Sequence, residues 1–107
     1  MITVTVDKEK GAYRGFCSKG HAGSGRYGQD IVCAAVSVLV INTVNSLEAF
    51  TEDDFSLEEE DGFVRLSFKE SLSGGGQLLM DSLVLGLTQI AQDYGKKYLQ
   101  VNVREVF

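Results

Sequence analysis

A chain of 107 residues has room for one domain, residues 1–107, because single domains cluster near about 100 to 150 residues. With 44% hydrophobic and 23% charged residues, neither a disordered nor a fibrous class fits. One histidine, two cysteines and a net charge of -5 exclude a four-cysteine zinc shell and bulk electrostatic binding of nucleic acid. No metal and no cofactor are expected unless carboxylates complete a shell.

The charge is uneven. Eight acids (Glu48, Glu52, Asp53, Asp54, Glu58, Glu59, Glu60 and Asp61) occur without a Lys or Arg among them, against seven acids and ten bases elsewhere. Such a strip is either a solvated face that keeps a small protein soluble or a docking surface for a basic partner.

Ile2, Val4 and Val6 alternate with Thr3, Thr5 and Asp7, the period of a half-buried strand. The N-terminus shows no charged n-region followed by an apolar h-region, so a secretory leader is not expected. A turn over Lys8–Gly11 leads to a second strand from about Tyr13 to Lys19. Six of the twelve glycines then fall between Gly11 and Gly28, with Gly20, Gly23, Gly25 and Gly28 around His21. From about Asp30 to about Ala49 the sequence has no turn signal and is apolar nearly all round, which predicts a central helix. Its longest apolar run, Ile31 to Ile41, is 11 residues broken only by Ser37, whereas a membrane span needs about 20. A cytoplasmic chain with reduced thiols and no membrane contact is therefore expected.

Asp61-Gly62 between Phe55–Glu60 and Phe63–Lys69 is a strong two-residue hairpin signal of the type I′ kind. Ser73 to Gly76 breaks the chain again, and Leu79, Leu83, Leu87, Ile90, Ala91 and Tyr94 recur at helical spacing up to a capping Gly95. Leu99, Val101 and Val103 alternate as a last strand. The order ββαββαβ implies an α+β (mixed α/β) fold. It would hold a five-stranded mixed sheet with two helices, packed on one sheet face or clasping a partner's sheet.

Chemistry concentrates between Gly20 and Ser37. Asp30 is of the residue type that caps helix N-termini, which would put Cys33 in the first turn, where backbone N–H groups favour a thiolate. Ile31, Val32, Ala34 and Ala35 oppose that, since apolar burial disfavours the charged form. His21, twelve residues earlier on the glycine-rich segment, could fold back over the helix start and serve as general base and acid. The same residues also fit a core cysteine and a solvent-facing histidine. Cys17, in a Phe16-Cys-Ser strand context, reads as core filling.

The Gly20-His-Ala-Gly23 segment, then Gly28-x-Asp30-Ile-Val-Cys33-Ala-Ala-Val-Ser37, the acidic hairpin and the second helix together resemble the bacterial ribosomal-processing cysteine protease family, Prp. The resemblance covers essentially the whole chain. It implies a homodimeric cysteine endopeptidase that removes a short N-terminal extension from protein 27 of the large ribosomal subunit, with that precursor as protein partner and no direct nucleic-acid contact. Position by position, it makes Cys33 the nucleophile and His21 the base, with Asp30 and Ser37 as supporting positions and Gly20 and Gly23 on the substrate loop. Asp30 either orients His21 or caps the helix; Ser37 is either a hydrogen-bond donor behind the site or a buried serine bonding its own helix. On the same patterns, two rival functions are a non-catalytic ribosome-assembly factor gripping a basic protein and a redox protein using Cys17 and Cys33.

Overall fold

The computed structural model describes residues 1–20 and 27–106, with side chains from residue 31 onward in the first helix. The elements follow in the expected order: β1 (Ile2–Glu9), β2 (Ala12–Lys19), α1 (Tyr27–Phe50), β3 (Phe55–Glu60), β4 (Phe63–Phe68), α2 (Gly74–Tyr94) and β5 (Leu99–Glu105). The strands form one sheet in the order β3-β4-β2-β1-β5. All pairs are antiparallel except β1 with β5. The sheet is therefore mixed.

Register sorts the side chains by face. Val4 lies opposite Ser18 and Val101, and Ser18 opposite Val64. On that face Ile2, Val4, Val6, Phe16, Leu66, Phe68 and Leu99 are buried in one core with Val32, Val36, Val40, Val44 and Leu47 of α1 and Met80, Leu83 and Leu87 of α2. Burial on a single face places both helices there. The other face carries Thr3, Thr5, Asp7, Lys19, Arg65 and Arg104, which suits water.

Cys17 belongs to that second face, beside Arg65 on β4, and is half-buried rather than core filling. The misreading has a plain cause. β2 carries a bulge between the pairs Asp7–Gly15 and Lys8–Tyr13, so simple alternation across the strand loses its phase.

Helix α1 is less enclosed than its composition suggests. Its core stripe repeats at helical spacing, while Ile31, Val38 and Ile41 are exposed at 43%, 65% and 51%. It is a surface helix with two apolar faces. Nor does the 11-residue run measure it, because Ile31–Phe50 is a 20-residue stretch of mean hydropathy 1.7, long and apolar enough to cross a membrane. Its buried stripe packs on the sheet in the common core.

The turns exchange types. Lys10 and Gly11 both have positive φ, at 51° and 82°, and join Glu9 to Ala12, so the type I′ signature lies in the β1–β2 hairpin. At Asp61-Gly62, only Gly62 is left-handed, at 71°. Helix α2 starts within the glycine run. Ser73 caps it by accepting from the Gly76 N–H at 3.1 Å, and Asp53 holds Ser73 through the Ser73 N–H at 2.9 Å and hydroxyl at 2.7 Å. One residue of the acidic strip is thus structural. Gly95 closes α2 as expected, its N–H donating to the Ala91 carbonyl at 2.9 Å.

Sheet and α2 are also joined by a polar pin. The buried Tyr13 hydroxyl donates to Asp81 Oδ1 at 2.5 Å, and burial, reinforced by that carboxylate, pushes the phenol well above its ordinary value. A raised phenol pKa adds stability that is complete below the unfolded value, near 10, and is lost as pH rises beyond it. Tyr13→Phe leaves the Asp81 carboxylate without this donor. It should lower the unfolding free energy by about 1–2 kcal/mol and flatten the loss of stability above pH 10, as measured by urea denaturation across alkaline pH.

Candidate active site

Cys33 is the seventh residue of α1. The first four N–H groups of a helix lack internal partners, and later ones are committed to the i−4 carbonyl. The helix therefore begins too early for the expected cap: Asp30 lies inside α1 instead of before it, and Cys33 is in the second turn. Contrary to expectation, first-turn N–H groups therefore do not surround the thiol. Tyr27-Gly28-Gln29 carry no apolar helical period that would signal this extra turn.

Cys33 is half-buried, packs against the core, and lines a cavity of about 280 Å³. One wall is α1, with Cys33, Val36, Ser37, Val40 and Ile41; the opposite wall is the sheet, with Ile2, Ser18, Gly20 and Val64, and the rim is Glu59 to Phe63 at the hairpin tip. Ser37 is exposed on this wall one turn after Cys33. It makes no described bond to its own helix of the kind Thr43 makes to the Leu39 carbonyl at 2.8 Å, so the reading as a buried back-bonded serine is set aside.

Gly20 fixes where the chain leaves the sheet. It has φ +96°, its N–H donates to the Gly62 carbonyl at 2.8 Å, and a Cβ there would run into the Met1 carbonyl oxygen. The backbone entering the His21 segment is thereby tied to the tip of the acidic hairpin. His21 and Gly23 lie outside the described residues, and so does the side chain of Asp30. Of the residues singled out from sequence, the structure brings Cys33, Ser37 and Gly20 to one cavity.

The acidic strip, one of whose readings is a docking surface, contributes to the same cavity, and Ser18, Phe63 and Val64 complete the lining. Ser18, Phe63, Val64 and the carboxylates Glu59, Glu60 and Asp61 reach the cavity through strand pairing. For Ser18 a signal existed in the alternation of β2 once its register was known. Among the described lining residues there are three acids and no Lys or Arg, so the rim favours cations. Cys17 and Cys33 are both free and lie on opposite sides of the sheet, which removes the basis for a redox pair between them.

Comparison with known proteins agrees with this geometry. The family model for cysteine protease Prp matches residues 1–100. The ribosomal processing cysteine protease Prp of Bacillus subtilis (strain 168) is 32% identical over 102 residues, covering 88% of this chain and 90% of the relative. Its namesake in Staphylococcus aureus (strain Mu50 / ATCC 700699) is 27% identical over 99 residues, covering 90% and 93%. A crystal structure of the S. aureus protease with a covalently linked product peptide superposes with a TM-score of 0.88 at 26% identity, over 97% of this chain and 100% of that one. A Streptococcus mutans protein of known structure superposes with a TM-score of 0.80 at 33% identity, over 99% and 96%. The chain, with a cysteine on a groove between helix and sheet, belongs to the Prp family of cysteine proteases.

Proposed function

We propose that this cysteine protease removes the short N-terminal extension of protein 27 of the large ribosomal subunit, in the cytoplasm where ribosomal proteins are made. The observation that carries the reading is the placement of Cys33 on a groove open to solvent, in a chain whose relatives are ribosomal processing proteases. In the proposed reaction the Cys33 thiol gives its proton to His21 as its sulfur attacks the scissile carbonyl carbon, and the C–N bond breaks as His21 passes that proton to the leaving amine. Water, deprotonated by His21, then hydrolyses the thioester and frees Cys33.

Incubation with the unprocessed ribosomal protein, followed by intact-mass measurement, tests this directly. The wild type should release the extension. Cys33→Ala should abolish release, and His21→Ala should lower the rate by about 10²–10⁴. A non-catalytic assembly factor would keep its function after Cys33→Ala.

The same reading gives the acidic rim a use. Ribosomal proteins carry Lys and Arg for RNA contact, and Glu59, Glu60 and Asp61 border the groove that holds Cys33, so the rim would attract the basic mature part of the precursor. Reversing Glu59 and Glu60 to Lys should reduce kcat/KM by about tenfold at low ionic strength and weaken its dependence on salt. An unchanged rate and salt profile would remove the rim from substrate recognition.

The second apolar face of α1 supports a homodimer. Ile31 and Val38 are exposed there, and Ala34, Ala35 and Val38 border a shallow trough of about 550 Å³ shared with Gly86 and Ile90 of α2. A contiguous apolar surface of this kind marks an interface, and pairing two copies through α1 would cover it. Val38→Glu should shift the mass measured by light scattering from twice the 11.7 kDa chain mass to a single copy.

A further inference from the structure

Ser18 is out of place by the rules that govern the rest of its face. The row that crosses the helix-covered side of the sheet reads Glu59, Val64, Ser18, Val4 and Val101, and the neighbouring row holds Leu57, Leu66, Phe16, Val6 and Val103. A hydroxyl at the centre of such a face loses the packing that a valine would provide and must find a polar partner. Among the described residues no hydrogen bond reaches the Ser18 side chain, yet none of the described buried side-chain polar atoms lacks a partner. The half-buried hydroxyl instead meets the cavity that holds Cys33. A position that forgoes apolar packing beside a nucleophile is where a sequence departs from folding rules for function.

Ser37 stands on the facing wall. The two hydroxyls lie on opposite sides of one groove, one from β2 and one from α1, with Cys33 a turn before Ser37. Each can both donate and accept a hydrogen bond. An apolar substrate side chain between them would strip their water and return nothing, whereas a carboxamide offers a donor to one wall and an acceptor to the other. On the peptidase reading above, we infer that Ser18 is a specificity-determining residue, which together with Ser37 selects a neutral hydrogen-bonding side chain, of the carboxamide class, in the substrate residue lodged between α1 and the sheet.

The test is a set of peptides carrying the precursor's cleavage sequence, in which each position flanking the cleaved bond is made Gln in one peptide and its near-isostere Met in another. At one position the wild type should cleave the Gln peptide with kcat/KM about tenfold above the Met peptide. Ser18→Val and Ser18→Ala should reduce that ratio to about twofold or less, while Ser18→Thr retains it. Thermal melting separates this from a structural role: Ser18→Val completes an apolar row and should melt at or above the wild-type temperature, and iodoacetamide should still label Cys33 in every variant. The inference is overturned if the wild type prefers Gln at no position, or if the preference survives Ser18→Val. If the wild type cleaves neither peptide nor the full-length precursor, the peptidase reading itself fails, a result distinct from cleavage without selectivity.

Discussion

Everything in this molecule depends on burying one face of a five-stranded sheet under the apolar stripes of two helices. Val32, Val36, Val40, Val44 and Leu47 of α1 and Met80, Leu83 and Leu87 of α2 meet Ile2, Val4, Val6, Phe16 and Leu66 in one core, and a chain of 107 residues has little apolar area beyond that to hold it together. Removing this area from water, worth about 25 cal/mol for each Å², fixes the rotation of α1 about its axis. The same rotation decides what its other residues do. It lays Cys33 and Ser37 along the edge of the buried stripe and leaves Ile31, Val38 and Ile41 on the outside.

The groove is a by-product of that packing. Where β2 ends, α1 and the tip of the β3–β4 hairpin border a groove among the described residues. Gly20 and Gly62 are joined there by a main-chain hydrogen bond of 2.8 Å, which ties the backbone leading to His21 to the turn that carries Asp61. Cys33, the loop entrance at Gly20 and the acidic rim thus border one groove although they come from three separate parts of the chain. The acidic strip is correspondingly divided. Asp53 is occupied in holding the cap of α2, while Glu59, Glu60 and Asp61 face the groove. Charge alone did not separate these roles, because a carboxylate used in a cap and one on a rim look alike in composition.

Much of the architecture was legible from periodicity. The alternation of Ile2, Val4 and Val6, the alternation of Leu99, Val101 and Val103 and the Gly95 cap each encode a local geometry that survives in the fold, and Asp61-Gly62 marks the hairpin although not its turn type. Cys33 and Ser37 were legible because their window resembles a family motif. Less visible were features set by neighbours distant in sequence. The bulge beside Gly15 turned Cys17 outward, and the start of α1 at Tyr27 moved Cys33 from the first turn to the second. Residues 27–29 offer no apolar pattern from which that extra turn could have been read.

By itself, then, the sequence determined the element order, the apolar faces of the strands, the hairpin and the identity of the nucleophile candidate, since these rest on local periods of two and 3.6 residues and on one contiguous motif. Only the tertiary structure decided that α1 keeps a second apolar face in solvent, that the hairpin borders the Cys33 groove, and that Ser18 and Ser37 line the same groove. Those outcomes depend on strand register and helix rotation, which are fixed by contacts between residues far apart in the chain, and no local pattern carries that information.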